Sequence, residues 1–482
     1  MQTAPATPTS APECVACATG NYCAGGTAPK QACASGTWDH DSSSATACVA
    51  WNDCVPGQRV TFNGSATFNR TCTACADSFS TTANASSCTP WRNCTPGSYV
   101  NTPGTATANR ECSTCPSGQT SIVTNSASCA EGFPSKLAAG TTHTCALFTP
   151  DGTVSCWGAN DSGQLGVGGS LPKPPTKVTG LSNIAEITAG TYHTCARHGD
   201  GTVSCWGYNV DGRLGDGSTQ QKFSPTLVPG LSGVAQIAAG SYHTCARLDG
   251  GTVSCWGNNV YGGLGDGSTT DRYSPISVPN LAAVTDLVAG SGHTCARLND
   301  GSVRCWGRND SGQLGDNSTT ERHSPTPVVN LSGVVDLAAG AFHTCARLSN
   351  GSARCWGENV LGQIGDGTTV LSRPTATAVT GLSGTVTHLT AGDRHSCAQM
   401  SDGTARCWGN NSTGQLGDGS TTARSAPVSV RSISGITNIA AGSIHTCARV
   451  SDGNVWCWGV NSSGQLGDGS RTTQSSPTLV VW

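Results

Sequence analysis

A unit of about 50 residues occurs seven times in this chain, and this repetition limits the possible folds more than any other feature. The string His-Thr-Cys or His-Ser-Cys starts at positions 143, 193, 243, 293, 343, 395 and 445, and each copy is followed by Cys-Trp-Gly. One unit contains four short stretches, PTLV, VAQIAAG, HTCARL and TVSCWG, with glycine-rich turns typical of hairpins between them. Seven copies of such a unit predict an all-β fold, a seven-bladed β-propeller of four-stranded blades over residues 134–482.

The lengths of the connections suggest how each blade is ordered. Three connections are short, whereas about 18 residues separate Cys-Trp-Gly from the next proline. We therefore expect each blade to run from PTLV to TVSCWG, with the long stretch as the crossover. The AGxxH turns and the loops after Cys-Trp-Gly then share one face, and the PGLSG and LDGG turns share the other. If each blade begins with the PTLV strand, the last strand of the chain, Pro477–Val481, completes the first blade and closes the ring.

Every unit carries two cysteines that flank an Asp-Gly type of turn. Folding the hairpin places them opposite each other, at a Cα separation that a disulfide tolerates. A zinc site made of the repeated histidine and the two cysteines is the alternative, but structural zinc sites use four ligands, so we predict no metal site. The predicted disulfides are Cys145–Cys156, Cys195–Cys205, Cys245–Cys255, Cys295–Cys305, Cys345–Cys355, Cys397–Cys407 and Cys447–Cys457.

Ahead of the repeats, residues 14–130 form a second cysteine-rich segment, which follows a leader, residues 1–13, that we expect to be disordered. Two units share the form C-x17-C-x2-C-x12/13-C, and a tryptophan, Trp51 or Trp91, precedes each. We expect a disulfide-rich, mostly irregular stalk, whose connectivity stays open because four cysteines allow three pairings. The cysteines are Cys14, Cys17, Cys23, Cys33 and Cys48, then Cys54, Cys72, Cys75 and Cys88, then Cys94, Cys112, Cys115 and Cys129.

The amino-acid composition indicates the cellular location of the protein and excludes some classes of partner. Twenty-seven cysteines favour an oxidising location, so we predict an extracellular or cell-surface protein, although residues 1–13 show no export signal. The net charge is only −3 and no basic stripe is present, which argues against nucleic acid. No stretch is apolar and long enough to insert into a membrane. No motif indicates a cofactor.

Two further repeated features have structural interpretations. The Leu-Gly-Asp-Gly-Ser string lacks the pattern of a phosphate-binding loop or a calcium loop, so we interpret it as a glycine turn. The seven tryptophans of Cys-Trp-Gly occupy identical contexts, which favours core positions between blades over a sugar-binding platform.

The pattern AGxxHTxAL…GxVxxWGxNxxGQLGxG resembles the regulator of chromosome condensation repeat. That resemblance implies a seven-bladed propeller, and it covers residues 134–482. Some bacterial members of that family are secreted β-lactamase inhibitors, which suggests a bacterial secreted type, whereas the eukaryotic namesake catalyses guanine nucleotide exchange on a small GTPase. The N-terminal cysteine units resemble those of tumour necrosis factor receptors and the ephrin-receptor-like family.

No catalytic set stands out, because every acid, base and nucleophile candidate recurs with the repeat. We therefore predict that the chain is not an enzyme but an extracellular protein-interaction scaffold, with one propeller face binding an unknown protein or cell-surface ligand. Nucleotide exchange on a small GTPase is the alternative. It depends on an insertion in one blade, whereas the spacing here departs from 50 by at most two residues.

Comparing the seven units with one another separates fixed from free positions. The residue before each repeated histidine is free, and so is the loop after Cys-Trp-Gly, and both are expected on the same face. Tyrosine, phenylalanine and arginine occur there, and these types anchor interfaces. The predicted binding residues are Tyr192, Tyr242, Phe342, Arg394, Tyr208 and Tyr261.

Overall fold

The computed structural model describes residues 21–22, 31–38, 47–94, 98–114, 119–120, 125, 130–149 and 151–482. The chain divides into two compact units, Met1–Ala130 and Glu131–Trp482. None of the described residues lies in a helix long and apolar enough to cross a bilayer. The first unit contains short antiparallel pairs: β1 (Asn21–Tyr22), β2 (Gln31–Ala32), β3 (Thr37–Trp38), β4 (Val49–Ala50), β5 (Gln58–Phe62), β6 (Thr71–Ala74), β7 (Ser78–Phe79), β8 (Thr89–Pro90), β9 (Ser98–Thr102), β10 (Glu111–Thr114), β11 (Gln119–Thr120) and β12 (Ala130–Glu131).

The second unit is the predicted seven-bladed propeller, in which each blade is a four-stranded antiparallel sheet with strands in chain order from the axis outward. Blades 1 to 3 are β13 (Pro134–Ala139), β14 (His143–Phe148), β15 (Thr153–Gly158), β16 (Lys173–Lys177); β17 (Ile184–Ala189), β18 (His193–His198), β19 (Val203–Gly207), β20 (Lys222–Leu227); β21 (Val234–Ala239), β22 (His243–Leu248), β23 (Val253–Gly257), β24 (Arg272–Ser277). Blades 4 and 5 are β25 (Val284–Ala289), β26 (His293–Leu298), β27 (Val303–Gly307), β28 (Arg322–Pro327); β29 (Val334–Ala339), β30 (His343–Leu348), β31 (Ala353–Glu358), β32 (Ser372–Ala378). Blades 6 and 7 are β33 (Val386–Ala391), β34 (His395–Met400), β35 (Ala405–Gly409), β36 (Arg424–Ser429); β37 (Ile436–Ala441), β38 (His445–Val450), β39 (Val455–Gly459), β40 (Gln474–Leu479).

The predicted order of strands within a blade was wrong. The PTLV strand does not precede the blade but is its outermost strand, paired with the Cys-Trp-Gly strand before it, as in Cys205↔Thr226. The long stretch is therefore a hairpin loop, and the short PGLSG segment is the crossover. Leu231 of that segment is buried between blades 2 and 3, against Trp256. Loop length misled the prediction because the entropy of closing a loop rises only slowly with its length.

Side-chain hydrogen bonds fold the long loop back on itself. In blade 3 the Asn259 side-chain amide donates to Asp266, to the carbonyl of Ser268 and to the carbonyl of Thr270, each at 3.1 Å. Its carbonyl oxygen accepts the backbone N–H of Leu264 at 3.0 Å. The Leu-Gly-Asp-Gly-Ser string is therefore a structural turn, in which the aspartate accepts hydrogen bonds from the loop itself.

Ring closure also differs from the prediction. The last strand, β40, pairs with β39 of its own blade and not with the first blade. Blades 7 and 1 meet by side-chain packing and hydrogen bonds instead: Val480 is buried beside Trp157, and the Ser443 N–H donates to the Gly140 carbonyl at 3.1 Å. The Trp482 ring lies edge-on to Phe148 and Trp157, at centroid distances of 5.1 and 5.4 Å. The ring is thus closed without exchange of a strand.

Removing residues 480–482 is expected to lower the free energy of unfolding by about 2–4 kcal/mol, because one buried valine and two edge-on aromatic contacts are lost. Urea denaturation of the shortened protein measures the loss. Val481→Ala is the matched control, since that side chain is 59% exposed. An unchanged unfolding midpoint in the shortened protein would show that these residues do not hold blades 7 and 1 together.

An identical histidine contact joins every pair of neighbouring blades. The histidine Nε2 lies 2.8–3.0 Å from a threonine or serine hydroxyl of the next blade. That hydroxyl donates its hydrogen to a loop carbonyl, as Thr194 does to Gln164. The imidazole must therefore be the donor to the hydroxyl, which places its proton on Nε2 and leaves Nδ1 without a partner. Seven such contacts, one of them between His445 and Thr144, fix the ring.

The residues around the histidine fit it closely. The same loop carbonyl accepts the indole N–H of the blade tryptophan, 3.0 Å away for Trp206. All seven tryptophans are fully buried between blades, as predicted. The glycine before each turn has no room for a side chain. A Cβ atom on Gly340, for example, would collide with the His343 imidazole and with the Gly392 carbonyl.

The two cysteines of each blade form a disulfide, with Cα atoms 4.0–4.1 Å apart. The register that pairs Cys195 with Cys205 is the one that the sequence predicts. Both sulfurs and the histidine Nε2 already have partners, so the donors of the alternative zinc site are occupied.

In the described part of the N-terminal unit, the first and second cysteines pair with each other in both repeats, and the third and fourth pair in the first repeat. The disulfides between described cysteines of this unit are Cys33–Cys48, Cys54–Cys72, Cys75–Cys88 and Cys94–Cys112. Each repeat holds its tryptophan in the same way, since Trp51 and Trp91 donate to Ser65 and Thr105 carbonyls at 3.1 and 3.0 Å. The expected leader at 1–13 and residues Cys14, Cys17, Cys23, Cys115 and Cys129 lie outside the described residues.

Candidate functional site

We define the top face of the propeller as the turns between the first and second strands of each blade together with the long loops between the third and fourth strands. Backbone hydrogen bonds join the two sets. The N–H of Tyr208 donates to the carbonyl of Tyr192 at 2.9 Å, and Asn258 donates to Tyr242 at 3.0 Å. The expectation that both sets share a face is therefore correct, even though the order of strands was not.

Blades 2 and 3 contribute the first of two stacks on the top face. The Tyr192 and Tyr208 rings meet edge-on, with centroids 6.3 Å apart. The Arg213 guanidinium lies over two rings, 4.9 Å from the centroid of Tyr208 and 5.4 Å from that of Tyr242. Arg213 is also bonded to the carboxylate of Asp211 and, at 2.8 Å, to the carbonyl of Ser241. One arginine thus holds two tyrosines across a blade boundary.

The second stack runs from blade 3 to blade 6. The Arg308 guanidinium lies 5.0 Å from the Tyr261 ring and 4.9 Å from the Phe342 ring. Arg394 covers Phe342 at 5.5 Å and pairs with Glu358 at 3.2 Å. Cation–π contacts of this kind contribute about 0.5–2 kcal/mol each, more where water is excluded. Aromatic and arginine side chains therefore support one another along an arc over five blades.

Burial shifts the pKa values of charged side chains in the arc. Only 2% of the Arg213 side chain is exposed, and this burial lowers its pKa, an effect that the ion pair with Asp211 partly offsets. Burial also raises the pKa of Glu358, although the nearby Arg394 guanidinium acts against that shift. Every arginine of the arc has a carboxylate partner, which leaves the aromatic rings as the surface open to a ligand.

The structure brings together all six predicted binding residues in these two stacks. Tyr192 and Tyr242 are 40% and 42% exposed, and Tyr208, Tyr261, Phe342 and Arg394 are half-buried. Sequence reasoning missed the two arginines at the centres of the stacks, Arg213 and Arg308, as binding residues. A signal for the first was present, because five other units have glutamine at the position of Arg213 (Gln164, Gln313, Gln363, Gln415 and Gln465).

The axial opening at the top face is lined by small residues. Glycine, alanine, serine and threonine of the first-strand turns surround it, and Asp393 is the acid among them. Burial raises the pKa of Asp393, while its hydrogen bond to Ser443 opposes that shift. Among the described residues, no group of three or more His, Cys, Asp or Glu side chains is placed to hold a metal ion.

Profiles of known families agree with this architecture. The profile of the RCC1-like domain matches residues 101–377, more than half of the chain. The chain belongs to the RCC1-like domain family. Profiles of the regulator of chromosome condensation (RCC1) repeat also match this RCC1-like propeller, at residues 386–415 and 436–465 and at 402–449 and 452–482. The TNFR/NGFR cysteine-rich region matches residues 75–112, and no curated protein sequence matches the chain.

Solved structures share the fold of the RCC1-like propeller. Human WBSCR16 is 21% identical, with a TM-score of 0.62, over 69% of this chain and 94% of that one. The yeast RCC1 protein Prp20, solved in complex with Kap60, is 22% identical with a TM-score of 0.62, over 72% and 85%. Prp20p from Saccharomyces cerevisiae, described with its binding to Gsp1p and histones, is 22% identical with a TM-score of 0.62, over 73% and 87%. At these identities the likeness shows the fold.

Proposed function

We propose that the RCC1-like propeller is a non-enzymatic protein-interaction module that binds a protein or cell-surface ligand with its top face. The observation that carries the proposal is the arc of tyrosine, phenylalanine and arginine side chains described above. These residue types dominate the binding energy of protein interfaces, because they bury large areas at a low cost in conformational entropy. Here they are already stacked on one another, which reduces the entropy lost on binding.

The opposite face offers no comparable feature in the described propeller. Its hairpin turns are capped by their own side chains, as where Asp200 accepts the N–H and the hydroxyl of Thr202 at 2.9 and 2.7 Å. Asp300 and Asp402 make the same contacts to Ser302 and Thr404. Because those polar groups are satisfied within the turn, the turns serve the hairpins.

We further propose that the protein acts outside the cytosol, as a bacterial secreted type of this family. Seven buried propeller disulfides, together with those of the cysteine-rich region, support an oxidising compartment. The match to a TNFR/NGFR cysteine-rich region supports the same location.

Arg213→Gln tests the function most directly, because glutamine is the residue that five other units have at this place. The substitution keeps the loop but removes the cation between Tyr208 and Tyr242. With a partner isolated by pull-down on the oxidised protein, we expect binding to weaken by about 1–2 kcal/mol. Alanine at Tyr192, Tyr242, Phe342 or Arg394 should weaken it by about 1–4 kcal/mol at the strongest positions. Calorimetry gives both values, and thermal melting checks the fold.

Asp249→Ala on the opposite face is the matched control, since Asp249 is exposed and lies in a hairpin turn. Leu231, in the crossover of that face, is unsuitable because its side chain is buried between blades. A control that weakens binding more than the top-face variants would reject the assignment of faces. Saturable acceleration of nucleotide release from a small GTPase would favour the exchange activity instead.

A further inference from the structure

Six of the seven blade boundaries share one contact at their outer rim. The long loop of one blade donates a backbone N–H to the outer strand of the next, as Gly217 does to the carbonyl of Tyr273 at 2.9 Å. The residue that accepts this hydrogen bond also lies over a second glycine of the same long loop, as Tyr273 lies over Gly212. The six N–H···O pairs, all 2.9–3.1 Å long, are Gly168–Phe223, Gly217–Tyr273, Gly267–His323, Asn317–Pro374, Gly367–Ser425 and Gly419–Ser475.

The seventh boundary, between blades 7 and 1, lacks this contact. The equivalent N–H, that of Gly469, has no partner in the described chain, and no atom lies near the position of a Cβ on Gly464. A groove of about 420 Å3 is open there instead. We call it the seam groove; it is lined by Pro172, Lys173, Pro174, Pro175, Ser463, Gly464, Gly467, Gly469, Ser470, Arg471, Val481 and Trp482.

The seam groove carries two cations, Lys173 and Arg471, that form no ion pair within the described residues. The nearby Asp468 is bonded to the Asn461 amide at 2.9 Å instead. In blades 2–6 the cation at the start of the outer strand pairs with the loop aspartate, as Arg322 does with Asp316 at 2.8 Å. Blade 1 has Val167 in place of that aspartate, and Lys173 forms no ion pair with any described residue. Arg471 stands where blade 6 has Thr421; it is exposed, and no carboxylate in the described ranges pairs with it. Lys173 and Arg471 therefore flank an apolar groove that includes Trp482, 51% exposed.

From these observations we infer that the seam groove binds an extended acidic segment of a protein partner, separately from the top face. The six closed boundaries show what fits: an extended backbone whose carbonyl accepts the loop N–H and whose side chain packs on the loop glycine. That side chain is a ring or a proline at four boundaries and a serine at the other two. In the seam, the carbonyl bonds to Gly469 and the apolar side chain packs beside Trp482. Carboxylates on the segment pair with Lys173 and Arg471, which selects an acidic sequence.

The test uses three fluorescein-labelled peptides and the full oxidised protein. The acidic probe is Glu-Tyr-Ser-Pro-Glu-Ser, the charge-reversed probe is Lys-Tyr-Ser-Pro-Lys-Ser, and the apolar-deficient probe is Glu-Ala-Ser-Ala-Glu-Ser. Fluorescence polarisation should show at least tenfold tighter binding of the acidic probe than of either other, and weaker binding as salt screens the charges. The double variant Lys173→Glu with Arg471→Glu should reverse the preference toward the lysine probe. Arg304→Glu, on blade 4, should leave it unchanged.

Hydrogen exchange locates the bound probe. We expect the acidic probe to slow exchange in residues 463–471 and to leave the top-face turn at Tyr242 unaffected. Equal affinity for the acidic and lysine probes, an unchanged preference in the double variant, no binding at about 1 mM, or protection elsewhere would each overturn the inference. Protection of residues 463–471 that rises with protein concentration, without any peptide, would instead identify a second copy of this chain as the occupant.

Discussion

Acidification from about pH 6.5 to pH 4.5 is expected to unfold the propeller. Burial lowers the pKa of the repeated histidines from 6.5 to about 3 at His143, His293, His343 and His395, to about 4 at His243 and His445, and well below 6.5 at His193. The folded chain therefore excludes seven protons that the unfolded chain takes up below pH 6.5. Stability is full above that pH and falls as the pH moves toward the folded pKa values.

The expected size of this loss is large. Each histidine costs about 1.4 kcal/mol per pH unit in the range between its two pKa values. Seven together give roughly 10 kcal/mol per pH unit, which compares with a total stability of about 5–15 kcal/mol for typical domains. Urea denaturation at several pH values measures the slope, and the imidazole resonances in NMR spectra report whether the folded histidines titrate.

His343→Gln refines the acid experiment, because a glutamine amide can replace the Nε2–H that bonds Ser396. The slope should fall by about 1.4 kcal/mol per pH unit, one seventh of the whole. His323→Gln, at a half-buried histidine on an outer strand that takes no part in the ring of inter-blade contacts, is the comparison variant. A free energy of unfolding that stays constant between pH 7 and pH 5 would contradict the assignment of these histidines as neutral and buried.

Reduction of the blade disulfides should have the second large effect. Each joins cysteines 10 or 11 residues apart, and the chain-entropy model assigns about 2.5–3 kcal/mol to a loop of that size. Seven together, about 17–21 kcal/mol, exceed the usual stability of a domain, about 5–15 kcal/mol. We expect the fully reduced protein to be unfolded or aggregated, whereas the folded protein resists reductant because these cysteines are 0% exposed. Circular dichroism and thiol titration follow both changes.

Removing disulfides one blade at a time tests the origin of this effect. Alanine at Cys345 and Cys355 should lower the free energy of unfolding by about 2–3 kcal/mol, and removal of Cys245 and Cys255 as well should double the loss. The two losses are expected to add because the loops are separate. A reduced protein with the same urea midpoint as the oxidised one would show that the disulfides do not stabilise the propeller.

The repeated units made the blade count and the disulfide register predictable, because both depend on local spacing. Cys195 and Cys205 flank a symmetric turn, so their pairing follows from a single hairpin. Which of the four strands begins each blade could not be predicted in the same way. It depends on Asn259 folding a long loop back on itself and on Leu231 packing between blades, and both are tertiary contacts that connection length does not reveal.

The same distinction holds for the candidate site. Comparing units identified Tyr192 and Tyr242, because a free position that holds a large ring is visible in the sequence. The stacks themselves depend on the direction in which Arg213 leaves its loop, which is set by Asp211 and the carbonyl of Ser241. The seam groove was harder still to predict, since it arises from a contact that six boundaries make and the seventh does not.

Closure without strand exchange has a consequence for the connectivity of the chain. Each blade is a continuous segment of the chain. The contact of His445 with Thr144, which joins blades 7 and 1, is the same as the six contacts between blades that are consecutive in sequence. The histidine contacts are therefore the same at every boundary, including the one between the last blade and the first. A circular permutant that joins Trp482 to Glu131 through a linker, and opens at any other crossover, retains every blade and all seven histidine contacts.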